Sequence, residues 1–207
     1  HIMDGIIFDV DGTLWDSTEV VAVAYNRAIS ELTNLSLRVT ADQLKKLFGK
    51  PMDVIFAELL PDLPKEQQTA LAEASFAQEH IELEKTPGRL YEGVEEMFRT
   101  LSEKYPLYIV SNCQCGYIEL FLRKTGLSRY IKAHLCFGET GTSKGQTILR
   151  LMRENNLQSP VYVGDIQGDA DACKEAGIPF VFAEYGFGDV AAPQYRIKTP
   201  LELTELF

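Results

Sequence analysis

The stretch "DGIIFDVDGTLWDS", Asp4 to Ser17, decides the fold. A short apolar run, Gly5 to Phe8, leads straight into two carboxylates two residues apart, Asp9 and Asp11, and then into Gly12-Thr13. Continuous apolar runs of this length, bounded by turn residues, mark strands buried on both faces. The same texture is absent from the next seventy residues. It returns in "LYIVSN" (107–112), "AHLCFGE" (133–139), "PVYVGD" (160–165) and "PFVFAEY" (179–185). Helical stretches separate these later runs: "GYIELFLRKTG", "SKGQTILRLMRENN" and "GDADACKEAG". Strand–helix alternation of this kind predicts an α/β fold, a parallel sheet with helices on both faces.

The interval from Asp16 to about Lys85 reads as helical throughout, in "STEVVAVAYNRAISEL", "TADQLKKLF", "MDVIFAELL" and "PKEQQTALAEASFAQEHIELEK". Val20, Val23, Ala24 and Ala28 recur at helical spacing. Ser17 or Thr18 is placed to cap the first helix, and Thr40 with Gln43 forms a capping box for the second. The first strand belongs with the later ones, so the helical interval reads as an insertion. The expected division is a core of residues 1–16 and 86–207 and a helical unit of 17–85.

Composition narrows the function classes. The 207 residues are 45% hydrophobic, enough to bury a core without staples. Twenty Lys and Arg against 30 Asp and Glu give a net charge of −10. That balance argues against a nucleic-acid polymer or an anionic membrane as partner, and it means that an anionic substrate needs local help from a metal ion or from placed lysines. No apolar run approaches a membrane span, and no basic-then-apolar leader is seen, so a cytoplasmic location is expected. "HIM" at the start reads as a cloning remnant. Cys113, Cys115, Cys136 and Cys173 lack the paired spacing of a zinc site and read as reduced thiols.

In such sheets active groups collect at the carboxyl ends of strands. Those ends carry Asp9 and Asp11, Ser111 and Asn112, Gly138 and Glu139, and Gly164 and Asp165, with Lys144 opening the helix after the third run. Residues i and i+2 of a strand share a face, so Asp9 and Asp11 can point into one crevice. Two close carboxylates repel unless a cation or a proton lies between them. A hard cation such as Mg2+ suits them, one Asp can attack phosphorus, and the other can protonate a leaving oxygen. Lys144 and the Ser111 hydroxyl would add the charge neutralisation that phosphoryl transfer needs. Two look-alikes fail. "GETGTSKG" breaks the phosphate-loop order around Lys144, and "GFGDVA" has no strand–helix–strand unit after it. The second reads as a loop on the crevice rim.

With these residues in place, the sequence resembles the haloacid dehalogenase-like hydrolases, in particular the branch containing phosphoglycolate phosphatase and beta-phosphoglucomutase. The motifs are Asp9-Val10-Asp11-Gly12-Thr13 with Asp16-Ser17, then Ser111, Lys144, and Gly164-Asp165 to Asp169. The resemblance implies a Rossmann-like core and a helical cap that selects the substrate. It implies Asp9 as nucleophile, Asp11 as general acid and then base, and Mg2+ held by Asp9, the Asp11 carbonyl and Asp165. Ser111 and Lys144 would hold the phosphoryl group, with Thr13 and Asn112 also expected at the substrate. Asp169 would support the metal or Lys144 from behind. One departure stands out: the branch usually follows the lysine with Pro, and here Gly145-Gln146 follows Lys144.

The expected activity is hydrolysis of a small phosphorylated metabolite by a monomer or homodimer. A phosphomutase and a non-catalytic phosphate-binding relative are the alternatives. Mutases of the branch carry a hinge His where this chain has Val21, and they commonly read D-G-V where it has Asp11-Gly12-Thr13. A binding-only relative would have lost an acid or the lysine. In the cap, Lys50 between Gly49 and Pro51 is a candidate substrate contact. Trp15 is expected to pack the cap base rather than line the crevice.

Overall fold

The computed structural model describes residues 2–207; His1, part of the expected cloning remnant, lies outside them. Strand β1 (Gly5–Phe8) lies between β4 (Leu107–Ser111) and β6 (Pro160–Gly164), in a six-stranded sheet completed by β5 (Ile131–Cys136), β7 (Phe180–Ala183) and β8 (Tyr195–Ile197). The order is β5-β4-β1-β6-β7-β8, with every pair parallel. Alternate side chains feed two cores. Ile6, Phe8, Ile109 and Val163 face one layer, while Ile7, Tyr108, Val110 and Tyr162 face the other. Helices α5 (Val94–Ser102) and α6 (Tyr117–Thr125) supply the first layer, and α8 (Lys144–Glu154) and α9 (Gln167–Ala176) the second. This is a Rossmann-like α/β core. Full burial on both faces explains why β1, β4, β6 and β7 read as unbroken apolar runs.

A two-stranded antiparallel ribbon, β2 (Trp15–Asp16) with β3 (Arg89–Leu90), joins the ends of the helical interval. Between them lie α1 (Thr18–Leu32), α2 (Ala41–Lys45), α3 (Met52–Leu59) and α4 (Lys65–Lys85). Tyr25 of α1, Phe56 of α3 and Phe76 of α4 pack ring to ring, with centroids 5.1 to 6.3 Å apart. The short α7 (Phe137–Thr140) follows β5, and α10 (Glu202–Leu206) ends the chain. No helix among the described residues is long and apolar enough to cross a membrane.

Two local expectations change. The interval is not helical throughout, because residues 33–39 form an irregular link and α2 gives way to turns from Lys46. Val39 is tied back to α1 there by two hydrogen bonds with the Asn26 side chain, which replace helical ones. The Thr40–Gln43 capping box is present as expected. Ser17 holds the N-cap position of α1, but neither its side chain nor that of Thr18 makes the cap bond. Asp16 Oδ1 does so, accepting the Thr18 main-chain N–H at 2.9 Å, because the Ser17 hydroxyl is engaged by Asp11.

Candidate active site

The carboxyl ends of β1, β4 and β6 and the N-terminus of α8 converge. Asp9 follows β1, and its oxygens lie within 4.8 Å of oxygens of Asp165 and Asp169. All three acids are buried. Lys144, also buried, sets its ammonium 2.5 Å from Asp169 Oδ1 and 3.5 Å from Asp9 Oδ1. Burial pushes the Asp9 and Asp165 carboxyls above their ordinary range, and the neighbouring acids add to it while Lys144 opposes. Burial alone would pull Lys144 down, but the charges of Asp169 and Asp9 outweigh it and hold the ammonium above its usual value.

The oxygens of this cluster are not equivalent. Asp169 spends both of its own, Oδ1 on Lys144 and Oδ2 on the main-chain N–H groups of Asp165 (2.9 Å) and Ile166 (3.2 Å). Asp165 Oδ1 accepts from the Thr13 hydroxyl at 3.3 Å, and Oδ2 from the Phe187 N–H at 2.9 Å. Asp9 Oδ2 is buried with no hydrogen-bond partner among the described residues. A buried carboxylate oxygen without a donor is costly unless it takes up a proton or meets a cation. Gly12 permits the crowding here. Its φ is +81°, and a Cβ on it would fall 2.0 Å from Asp165 Oδ2.

Asp11 is held differently. Its Oδ1 accepts from Ser17 Oγ (2.7 Å), Tyr117 OH (2.8 Å) and Trp15 Nε1 (3.1 Å). Burial raises this carboxyl to about 6, and the three donors limit the rise. All three converge on Oδ1, and none of them engages Oδ2.

The other expected residues fall as follows. Ser111 ends β4 and is buried beside the cluster's edge of the sheet. Asn112 donates through Nδ2 to the Gly49 carbonyl (2.9 Å), so the helical interval touches the core through that loop. Lys50 pairs with Glu58 at 2.8 Å at the rim of a cavity of about 610 Å3, which Lys45, Lys46, Asn112 and Lys144 also line. Thr13 meets Asp165 rather than open space. Glu139, expected at a strand end, sits exposed on α7 and accepts from the Cys136 thiol. Trp15 is fully buried, edge-on to Phe121, and packs as expected while also donating to Asp11.

The family model for haloacid dehalogenase-like hydrolases matches residues 6–183. The chain belongs to that family. Among similar proteins, phosphoglycolate phosphatase of Xanthomonas campestris is 29% identical over 188 residues, covering 88% of this chain and 83% of its own. Phosphoglycolate phosphatase of Photobacterium profundum is 28% identical over 194 residues, with the same two shares. Among solved structures, a haloacid dehalogenase-like hydrolase from Streptococcus pneumoniae superposes with a TM-score of 0.85 at 22% identity. That match covers 99% of this chain and 98% of that one, and it bears on the fold alone.

Several features of this hydrolase's site escaped the sequence reading: Tyr117 on Asp11, the bond from Ser17 to the same acid, the Phe187 N–H on Asp165, and Glu79 with Gln114. Glu79 lies in α4 on the buried stripe Leu71–Ser75–Glu79–Leu83, so a carboxylate in an apolar helical stripe was the available signal. It is 3% exposed, and its Oε2 accepts from Gln114 Nε2 across to the core (2.9 Å).

Burial raises the Glu79 carboxyl from 4.5 to about 8, with the Gln114 bond opposing and the Asp11 charge adding. Tyr25 and Tyr117 also border it, and both stay neutral across this range. The folded chain therefore holds more protons than the unfolded chain between pH 4.5 and about 8, and stability falls as pH rises through that window. The full loss is roughly 3–5 kcal/mol. Glu79→Gln should match the parent's melting temperature near pH 4.5 and exceed it by roughly 10 °C at pH 8.5. A difference that does not vary with pH would contradict this.

Proposed function

We propose that the chain is a metal-dependent phosphatase that hydrolyses a small phosphomonoester through a phosphorylated Asp9. The observation that carries this is the unpartnered, buried Asp9 Oδ2 beside Lys144, with Asp11 next to it fixed through one oxygen only. The phosphoglycolate phosphatases among the relatives support the reaction class. In this reading residues 17–85 act as the cap over a core of 1–16 and 86–207.

The donor set fits a hard divalent cation, because it offers carboxylate oxygens and no sulfur or imidazole. Asp9, Asp165 and the Asp11 carbonyl would hold Mg2+, which would neutralise charge on the substrate phosphate and on the acids.

The chain's own groups then divide the work. Asp9 attacks phosphorus as the ester oxygen departs, and Asp11 Oδ2 supplies the proton that oxygen needs. Deprotonated, the same Asp11 takes a proton from a water that attacks phospho-Asp9, which releases phosphate and restores both acids. Lys144 and the Ser111 hydroxyl stabilise the charge on the transferring group. Asp169 keeps Lys144 protonated and in place. Asn112 and Lys50 remain proposed substrate contacts at the cap–core boundary, while Thr13, fully buried with its hydroxyl on Asp165, is proposed to position that acid instead. Val21 is buried in α1 and offers no proton carrier, which favours hydrolysis over phosphoryl transfer between sugars.

Removal of divalent metal by excess chelator should lower phosphate release from a phosphomonoester panel by at least ~100-fold, with recovery on adding Mg2+. Full activity in chelator would contradict the proposal.

A further inference from the structure

Two cavities meet the site, and their chemistry is opposite. The larger, beneath Lys45, Lys46 and Lys50, does not touch Asp11. The smaller, about 30 Å3, is bounded by Asp11, Tyr25, Phe76, Glu79, Gln114 and Tyr117. If Asp11 protonates the leaving oxygen, the reading proposed above and the one on which this inference rests, then the alcohol part of the substrate lies in the smaller cavity.

No Lys, Arg or His lines that cavity among the described residues. Its cap side is apolar and aromatic, from Tyr25, Phe48, Ile55 and Phe76, with a single ionisable acid, Glu79. That carboxyl is buried and held through Oε2 by Gln114, while Oε1 has no protein donor among the described residues. Above about pH 8, where Glu79 is ionised, a carboxylate-bearing alcohol placed there would meet a second charged carboxyl and no cation, and the two would repel. A hydroxyl or ammonium would instead give the open oxygen the donor it lacks.

We propose that Glu79 is a specificity residue that hydrogen-bonds a hydroxyl or ammonium on a small leaving group and selects against one ending in a carboxylate. The glycolate unit is then a poor fit, although the relatives are named for it.

Three two-carbon esters of nearly equal size test this: phosphoethanolamine, 2-hydroxyethyl phosphate and phosphoglycolate. They differ only in an ammonium, a hydroxyl or a carboxylate at the far end. With Mg2+ present at pH 8.5, where Glu79 is ionised, kcat/KM of the unaltered enzyme should favour one of the first two over phosphoglycolate by at least ~10-fold. Which of the two leads identifies the donor. Glu79→Gln, which keeps an acceptor for Gln114, should bring the ratio close to one and raise phosphoglycolate turnover. Gln114→Leu removes the tether but leaves the carboxyl, and should preserve the ranking.

A preference for phosphoglycolate by the unaltered enzyme overturns the proposal without any variant having to fold. So does an unchanged ratio in Glu79→Gln, or a parallel fall on all three esters in both variants, which would mean a structural tether. Hydrolysis of an aryl phosphate but of none of the three overturns it as well. Failure to hydrolyse any ester, the aryl phosphate included, would remove the phosphatase reading and this inference with it.

Discussion

Asp9→Asn is expected to abolish turnover, with kcat lowered at least ~10⁴-fold, while the protein stays folded. An amide cannot act as the attacking carboxylate, and it weakens the oxygen set that would hold the metal. The fold should survive, because Lys144 keeps its shorter contact, to Asp169 at 2.5 Å, and loses only the longer one at 3.5 Å. Burial and the neighbouring acids already disfavour a charged Asp9, so removing that charge relieves repulsion in the absence of metal. Steady-state kinetics together with thermal melting check both halves. Retained activity, or a variant that fails to fold, would contradict this assignment.

Asp11→Asn should give a loss that depends on the leaving group. For an alkyl phosphate, whose departing alkoxide needs a proton, kcat/KM should drop about 10²–10⁴-fold. For an activated aryl phosphate the drop in the first step should be below about 10-fold, since that oxygen leaves unprotonated. Ser17, Tyr117 and Trp15 all donate to Oδ1, and the Asn side chain can still present an acceptor to them, so its position should be kept. Equal losses on both substrates would mean that Asp11 is not the general acid.

Much of this site was legible because strand ends mark it. β1, β4 and β6 are buried on both faces and read as plain apolar runs, and the first polar residues after them are Asp9, Ser111–Asn112 and Asp165. Lys144 was visible for a similar reason, since Ser143 caps its helix through the Gln146 N–H. What stayed hidden was contact between distant segments. Tyr117 reaches Asp11 across 106 positions, and nothing in "GYIELFLRKTG" separates a phenol that packs from one that donates. The cap of α1 was misassigned because two hydroxyls and a carboxylate compete there, and Asp11 claims Ser17. Glu79 did carry a local sign, its place on a buried stripe, but its partner Gln114 lies 35 residues away. The non-helical link over 33–39 was also out of reach, because tertiary contacts such as Asn26 with Val39 set its path.

The central claim is that phosphate passes through Asp9, and the Asp11→Asn variant exposes that step. With an aryl phosphate, phosphorylation should proceed while hydrolysis of phospho-Asp9 stalls for want of the base. Rapid mixing should then give a burst of aryl alcohol approaching one per site, with phosphate release lagging behind. Borohydride added during the burst should convert residue 9, and no other Asp, into homoserine, which peptide mass spectrometry detects. Release of alcohol and phosphate at equal rates with Asp9 unmodified, or modification at another residue, would contradict the account.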